Sequence, residues 1–487
     1  MAIKSAEEYV ESIKQQHPKV YLGGKRVNDL FENPTTKSVI DATAKMYELA
    51  MDPDFETTMT AQSHLIDEKI NRSLHVNSSI EDLRKRADMA LLTAQKVGTC
   101  NYRCVGCDAI NTLTSVTWEM DRDLSTDYNK RFNEFLKYVQ KNDLACSGAM
   151  TDAKGDRSKR PVEQEDPDVY IHVSKRRKDG LVVRGAKVNQ SGAIAANETI
   201  VIPGQALREG EEDFAVAFAV PNGAEGISYI CQFTPYTAER DMVEDIHELG
   251  NPIYGQRETS LMVFDDVFVP WERVFMCGEV KYTRQLVARF AKIHRMNCGG
   301  ACKVGFADLV IGATQLLVEY AGLEKVPQVR EKITDMITLS ETARACTLAS
   351  AVEGSEEPKG SGVFLPDDMF GNVAKINIAN GFWEMMKIAG DLAGGLVVTM
   401  PSERELKNPE TKEYIEKFFR TTVPAEKRMR ITKFLQHWIA GQHGAGTWHG
   451  AGPVQAQRVM VGRLADMEGK KKLAKDLAGL KEEELDS

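Results

Sequence analysis

The chain has 487 residues, of which 42% are hydrophobic and 27% are charged, a composition typical of globular proteins. This length exceeds what one small core can organise and predicts two or three packed units. The net charge is −9 and no long basic run is present, which argues against nucleic acid as a partner.

Targeting and membrane signals are also missing from the sequence pattern. No run approaches the roughly 20 apolar residues of a membrane span. The first residues, "MAIKSAEEYVESIKQQ", have neither the apolar core nor the cleavage site of a signal peptide. We therefore predict a cytoplasmic protein without a membrane partner. Its nine cysteines are too few for a disulfide framework, and clustered thiols in a reducing compartment indicate a metal or catalysis.

Helices dominate the first part of the chain. Four segments carry apolar side chains at helical spacing, namely "SAEEYVESIKQQ", "SVIDATAKMYELAM", "SIEDLRKRADMALLTAQKV" and "DYNKRFNEFLKYVQKN". They predict an N-terminal α-helical domain over residues 1–146.

After residue 146 the sequence changes to short β-rich runs that are bounded by turn signals, such as "DGLVVRGAKV" and "TSLMVFDDVFVP". The densest basic cluster, Lys175 to Lys178, directly precedes Asp179-Gly180 and therefore indicates a solvated hairpin turn rather than a binding surface. These runs predict a middle β-domain over residues 147–279.

From residue 280 the helical spacing returns in segments long enough for a bundle, which predicts a C-terminal α-helical bundle with a charged tail over residues 280–487. The expected fold class is α+β. A helical domain, a β-domain and a helical bundle in this order match the acyl-CoA dehydrogenase architecture, in which a flavin lies between the β-domain and the bundle. On order alone this match is an analogy.

Three cysteines fall within eight residues in "GTCNYRCVGCDA": Cys100, Cys104 and Cys107. Their C-x3-C-x2-C spacing equals that of radical-SAM enzymes, but a helical domain surrounds it here instead of a βα barrel. A closed zinc site needs four ligands, and no second C-x2-C pair exists. The third interpretation is an iron–sulfur cluster that is completed by residues far away in sequence.

Distant candidates for that completion lie in "KIHRMNCGGACKVGF". His294, Cys298 and Cys302 follow one another at steps of four on an apparent helix, which places them on one face. Such residues on a helix are usually buried core residues. The presence of a second thiol cluster in the chain favours the metal interpretation.

Several longer motifs, spread over nearly the whole chain, resemble those of one enzyme family. They are "DEKINR", "RCVGCDA", "GAMTDAKGDR", "VVRGAKVNQSG", "VFDDVFVP", "CKVG", "DLAGGLVVTMPSE" and "HGAGPVQAQR". With them the chain is similar to the 4-hydroxybutyryl-CoA dehydratase/vinylacetyl-CoA Δ-isomerase family. The resemblance implies FAD and a 4Fe–4S cluster whose ligands, matched by position, are Cys100, Cys104, His294 and Cys302. Cys107 stands where the family pattern has an apolar residue.

The same resemblance implies which residues contact the flavin. Ser191 replaces a threonine of the family and keeps the hydroxyl group, and two glycines near residue 394 would let the backbone approach the cofactor closely. The implied flavin residues are Met150, Thr151, Asp152, Lys154, Gly155, Asp156, Arg157, Asn189, Gln190, Ser191, Gly394 and Gly395.

The implied reaction converts 4-hydroxybutyryl-CoA to crotonyl-CoA, with isomerisation of vinylacetyl-CoA as a second activity. Removal of a C2 proton and one-electron oxidation by the flavin would acidify the C3 hydrogen. C3 then loses its proton, and the resulting ketyl radical expels the C4 hydroxyl group to iron. The resemblance makes His294 the C2 base as well as a ligand, while Lys303 would stabilise negative charge and Glu258 matches an active-site carboxylate. It also implies a homotetramer.

Two departures from the family pattern leave alternatives open. At Cys298 the family has a tyrosine, and at Gly446 it has a glutamate that acts in C3 proton removal. A thiol could relay a proton without a phenol's reach, and His449 is the nearest candidate in sequence to assist. The alternatives are a related FAD and iron–sulfur dehydratase or isomerase acting on another acyl-CoA, a cluster-free flavin-dependent hydroxylase of 4-hydroxyphenylacetate, and a non-catalytic interaction protein.

A third departure is one extra residue between His294 and Cys302. An α-helix turns about 100° per residue, so seven residues return to within about 20° of the starting direction and eight overshoot by about 80°. If both side chains reach one cluster, the helix must absorb the difference. Gly299 and Gly300 are poor helix formers, and we therefore predict a π-bulge or a break between Asn297 and Ala301.

Overall fold

A computed structural model describes residues 3–234, 237, 248 and 250–480. The structure is a mixed fold of helices and strands, 55% helical, as the sequence predicts. The helices are Ala6–Lys14, Pro34–Met51, Glu56–Met59, Ile80–Val97, Cys104–Leu124, Tyr128–Lys141, Val280–His294, Arg295–Ala301, Cys302–Tyr320, Pro327–Val352, Asp368–Ala393, Leu396–Thr399, Lys412–Phe418, Ala425–Ile439, Gln442–His449, Val454–Leu464 and Met467–Ala478. The strands are Lys19–Leu22, Lys25–Val27, Thr60–Gln62, Lys69–Asn71, Cys146–Ala149, His172–Arg176, Gly180–Ser191, Glu198–Val201, Val216–Pro221, Ile227–Cys231, Thr259–Pro270, Val274–Cys277, Ser355–Glu356 and Phe364–Leu365.

Two sheets form the middle of the molecule. The larger sheet has six strands and is built around the long antiparallel pair Gly180–Ser191 and Thr259–Pro270. The smaller sheet has four strands and ends at Cys146–Ala149, which pairs in parallel with Glu198–Val201. The predicted hairpin turn at Asp179-Gly180 is confirmed, since the strand His172–Arg176 pairs antiparallel with the strand that follows the turn.

The N-terminal part contributes more than helices. A short hairpin, Lys19–Leu22 with Lys25–Val27, joins the six-stranded sheet by parallel pairing with Ile227–Cys231. Sequence reasoning missed this hairpin because strands this short carry little periodic signal and their partner is about 200 residues away. The domain division at residues 146 and 279 stays a prediction.

The C-terminal helices pack into a bundle around Phe382, Met385 and Trp438, which are fully buried. Its first member is a continuous helical run, Val280–Tyr320, that by length and composition could cross a membrane. However, 67% of the most apolar window of this run is buried inside the structure, as in the core helix of a soluble protein. The run packs against Ile80–Val97 and Asp368–Ala393 and so brings the two halves of the chain together.

Close contact between the Cys104–Leu124 helix and the smaller sheet depends on Gly106. A Cβ atom at this position would lie 2.1 Å from the carbonyl oxygen of Cys146. We therefore expect Gly106→Ala to destabilise the protein by about 3 kcal/mol or more, because the obstacle is backbone and cannot rotate away. Thermal unfolding measures the effect.

Gly312 provides the matched control for this prediction. It also lies inside a helix, but a Cβ atom there would have no neighbour within 4 Å. Gly312→Ala should stabilise the protein by up to about 1 kcal/mol, since alanine is the better helix former. Equal melting temperatures for the two variants would show that the helix does not need its close approach to the sheet.

Candidate active site

The first thiol cluster spans a short loop between two helices and the first turn of the second helix. Gly98, at φ 58°, ends the Ile80–Val97 helix in the left-handed conformation that glycine favours. The side chain of Asn251 donates to the carbonyl oxygen of Val97 at 2.9 Å and holds this helix end. The next helix begins at Cys104. The loop therefore carries Cys100, and the Cys104 thiol at the start of the next helix is in hydrogen-bond contact with it.

The second cluster spans a π-helix, which carries Cys298 and lies between His294 and Cys302. Residues Arg295–Ala301 form π-type turns between two α-helices, so the predicted bulge is confirmed. The glycines permit close packing here, because a Cβ atom at Gly300 would lie 2.3 Å from the Thr347 hydroxyl oxygen. The π-helix absorbs the extra residue and lets the helical run continue to Tyr320.

The structure brings the two clusters together. Cys104 shares hydrogen bonds with Cys100 and with Cys298, and these bonds lower the pKa of Cys100 and raise the pKa of Cys104 well above the ordinary value for a thiol. The hydrogen bond with Cys104, with help from the charges of Lys303 and His294, lowers the pKa of Cys298 well below that value. Cys100 and Cys298 therefore ionise more readily than an ordinary thiol.

His294 completes this group of side chains and also contacts Cys298. Burial disfavours its charged form, yet the negative charge of Cys298 and a hydrogen bond to Asp108 raise the pKa of His294 to about 10. Cys302 is buried nearby, within electrostatic reach of Cys298 and Cys100, and burial raises its pKa. All residues of the predicted ligand set therefore lie in one region.

Lys303 and Glu258 lie in the same region. The Lys303 ammonium is buried, 3.8 Å from the sulfur of Cys298, and although burial opposes its charge, the charges of Cys298 and Cys302 raise its pKa. Burial raises the pKa of Glu258 to about 8, and the charge of Cys100 adds to this effect. The site thus holds a cation and, at neutral pH, a protonated carboxylic acid.

Cys107 and His449 are not part of this arrangement. Cys107 is buried one turn further along its helix, where it accepts a hydrogen bond from the fully buried Arg86. His449 is exposed at the end of the Gln442–His449 helix. The residue of this segment that lies close to the site is Gly450. A Cβ atom at this position would lie 3.0 Å from the Lys303 nitrogen.

Two of the predicted flavin segments lie side by side. The backbone N–H of Val188 donates to the carbonyl oxygen of Thr151 at 2.8 Å, which joins residues 150–152 to the end of the Gly180–Ser191 strand. Asp152 is buried and forms an ion pair with Lys187 at 2.5 Å, so it serves the fold. Gly394 and Gly395 are exposed beyond the Asp368–Ala393 helix, with nothing within 4 Å of an added Cβ atom.

Sequence reasoning missed three buried polar residues at this site. Asp108 lies 2.7 Å from the His294 ring, and Asn297 donates to the same carboxylate. Lys375 donates to the carbonyl oxygen of Thr447 at 2.6 Å, and burial together with the charge of Lys303 lowers its pKa to about 7. Asp108 follows Cys104 by four positions on one helix, a spacing that could have revealed it.

The donor set determines which cofactor this region could hold. Within residues 3–234, 237, 248 and 250–480, no three His, Cys, Asp or Glu side chains meet the geometry of a single-ion site. Three thiols and one imidazole nevertheless contact one another, Cys302 lies within electrostatic reach of them, and all nine cysteines of the chain are free. Thiolates with one imidazole are chemically suited to an iron–sulfur cluster.

Comparisons with known proteins identify the family. Models for the N-terminal and C-terminal parts of 4-hydroxyphenylacetate 3-hydroxylase match residues 5–276 and 283–479. The 4-hydroxybutyryl-CoA dehydratase/vinylacetyl-CoA-Delta-isomerase of Clostridium aminobutyricum is 40% identical over 98% of this chain and 100% of its own length. The chain belongs to the 4-hydroxybutyryl-CoA dehydratase/vinylacetyl-CoA isomerase family.

A solved structure of this family agrees with the assignment. The 4-hydroxybutyryl-CoA dehydratase of N. maritimus, described as archaeal and oxygen tolerant, is 39% identical, with a TM-score of 0.95 over 98% of this chain and 95% of that one. The predicted resemblance and the acyl-CoA dehydrogenase-like fold are confirmed. As a member of the dehydratase/isomerase family, the chain is a lyase with isomerase activity.

More distant relatives share the fold. The oxygenase component of 4-hydroxyphenylacetate 3-monooxygenase from Thermus thermophilus is 26% identical over 91% of this chain and 89% of its own length. A solved oxygenase component of this type, complexed with FAD, is 22% identical with a TM-score of 0.83 over 97% of this chain and 98% of that one. The hydroxylase alternative is therefore less well supported than the dehydratase.

Proposed function

We propose that this protein dehydrates 4-hydroxybutyryl-CoA to crotonyl-CoA and isomerises vinylacetyl-CoA, with FAD and a 4Fe–4S cluster as cofactors. The observation that supports this most is the contact between the half-buried thiols of Cys104 and Cys298 and the imidazole of His294, in a chain 40% identical to such a dehydratase from end to end. The two cofactors would supply reversible one-electron oxidation and a Lewis-acid iron for the departing hydroxyl group.

The proposed ligands are Cys100, Cys104, His294 and Cys302. Three of these ligands are cysteines, and the loop and the helical run place their side chains within electrostatic reach of one another. The lowered pKa of Cys100 favours the thiolate that iron requires. Cys298 is also close to Cys104 and could relay protons beside the cluster.

The remaining groups are suited to handling charge and protons on a thioester. Lys303 is a buried cation and would stabilise the negative charge that develops when C2 loses its proton. His294 could accept that proton only in its uncharged form and with Nε2 free of iron, because Nδ1 is occupied by Asp108. Glu258, with a pKa of about 8, would be protonated at neutral pH and able to donate a hydrogen bond.

FAD is proposed to lie along the joined segments at residues 150–157 and 189–191, with Gly394 and Gly395 approaching it. Asn189 has φ 60° and is exposed at the end of its strand, and the two glycines are open on their outer side. Solved relatives with this fold carry FAD, which supports the flavin. A cytoplasmic homotetramer remains part of the proposal.

An anaerobic assay tests this function. The purified protein should be yellow-brown, contain iron, sulfide and FAD, and convert 4-hydroxybutyryl-CoA to crotonyl-CoA. Exposure to air should abolish activity before it releases the flavin. Iron-free protein that hydroxylates 4-hydroxyphenylacetate with reduced flavin would contradict the proposal, and turnover of a different acyl-CoA alone would correct its substrate.

A further inference from the structure

Asp108 is a fully buried carboxylate that meets His294 from a different helix. Its Oδ2 atom lies 2.7 Å from Nδ1 of the imidazole. Because an ionised carboxylate can only accept hydrogen bonds, Nδ1 must carry the hydrogen. With Nδ1 occupied by Asp108, the other ring nitrogen, Nε2, is the one available to the Cys298 thiol, which also contacts the ring.

The surroundings of Asp108 support a charged carboxylate. Asn297 donates to its Oδ1 atom at 2.8 Å, and the guanidinium of the fully buried Arg86 lies 3.9 Å from the same oxygen. Hydrogen bonds to both carboxylate oxygens and a nearby cation offset the cost of burying the charge.

Cys107 is an uncharged partner of Arg86, so it does not neutralise the guanidinium charge that faces Asp108. Arg86 donates to the Cys107 sulfur and also to the carbonyl oxygen of His75 at 2.7 Å, so its position is set by neutral acceptors. Burial raises the pKa of Cys107 to about 11, which keeps this thiol uncharged at neutral pH. The only carboxylate paired with Arg86 within the described part of the chain is therefore Asp108.

We propose that Asp108 is a positioning residue, which fixes the orientation of the His294 ring and directs Nε2 towards the thiols as a cluster ligand. This inference rests on the proposed function, since it takes His294 as a ligand. A carboxylate that accepts from the free N–H of a ligating histidine orients the ring and makes it more basic, and losing such a partner typically costs about 10–100-fold in metal affinity or activity.

Two substitutions separate the charge of Asp108 from its hydrogen bond. In Asp108→Asn the amide oxygen can still accept from Nδ1, and the new NH2 group takes the place of Oδ1, which now accepts from Asn297. A 180° rotation of the Asn297 amide turns its Oδ1 atom, which has no hydrogen-bond partner among the described residues, towards the new donor. This variant should therefore fold. Asp108→Ala removes the acceptor altogether. Glu198→Gln is the matched control, because Glu198 is equally buried but pairs with Arg273 at 2.7 Å.

The variants are compared as anaerobic holoenzyme with 15N-labelled histidine. We expect iron loss to a chelator to accelerate about 10-fold in Asp108→Asn and about 100-fold in Asp108→Ala. The histidine 15N coupling to the reduced cluster, measured by pulsed EPR, should change in both variants and stay unchanged in Glu198→Gln. If Asp108→Ala keeps both the histidine coupling and the rate of iron loss of the wild-type protein, the inference is overturned.

A failure of the proposed function gives a different result. Wild-type protein would then contain no iron. The NMR spectrum of the same labelled sample still shows whether Asp108 holds the His294 ring. A slowly exchanging imidazole N–H signal that disappears in Asp108→Ala and in His294→Gln, but not in Glu198→Gln, supports the positioning role. Its absence from wild-type protein would overturn that role as well.

Discussion

Iron and sulfide should fall to background in Cys100→Ser and in Cys104→Ser, and activity should be lost. Cys107→Ser should keep its iron, its sulfide and its activity. Each of the first two substitutions removes a thiolate that the cluster needs. Cys107 instead lies against Arg86, and its buried thiol has a pKa of about 11. The measurement is iron and acid-labile sulfide per chain in anaerobically purified protein.

The same analysis separates the two thiols near the π-helix. We expect iron to be lost in Cys302→Ser and kept in Cys298→Ser, because the π-helix absorbs the extra residue between His294 and Cys302. The opposite result would make Cys298 the fourth ligand, which its contacts with Cys104 and His294 would then explain. Full iron content in Cys100→Ser would overturn the ligand set as a whole.

Lys303→Met should lower kcat by about 10²–10³-fold and leave the iron content unchanged. Removing one preorganised group that stabilises developing charge in a buried site typically costs this much. The ammonium is well placed for such a role, since it is buried 3.8 Å from the Cys298 sulfur and its pKa is raised. Steady-state kinetics with 4-hydroxybutyryl-CoA, together with iron analysis, measures both quantities.

Lys281→Met provides the matched control. Lys281 is exposed near the start of the same helical run. It should keep wild-type kcat and KM, because an exposed charge there is well solvated. If Lys303→Met keeps its iron and its kcat, Lys303 has no part in the reaction. If it loses its iron, the lysine stabilises the thiols instead.

Several features follow from local sequence pattern. Periodic apolar positions predict the long helices, and Asp179-Gly180 predicts its hairpin. The π-helix at Arg295–Ala301 was predicted by counting one residue more than the family pattern between His294 and Cys302, on the hypothesis that both reach one cluster. These predictions succeed because each depends on the geometry of a few consecutive residues, for which 3.6 residues per turn or a two-residue turn is enough information.

Other features were decided only by the tertiary structure. Asp108 meets His294 across 186 positions of the chain, and Cys107 turns to Arg86 although it lies three residues from Cys104. His449 follows a family motif and is nevertheless exposed. The sequence by itself determined which chemical groups are available and which helices carry them. Which of these groups face one another was decided by how distant helices pack, because a buried polar group must find a partner and the partners of Asp108 and Cys107 lie on other helices.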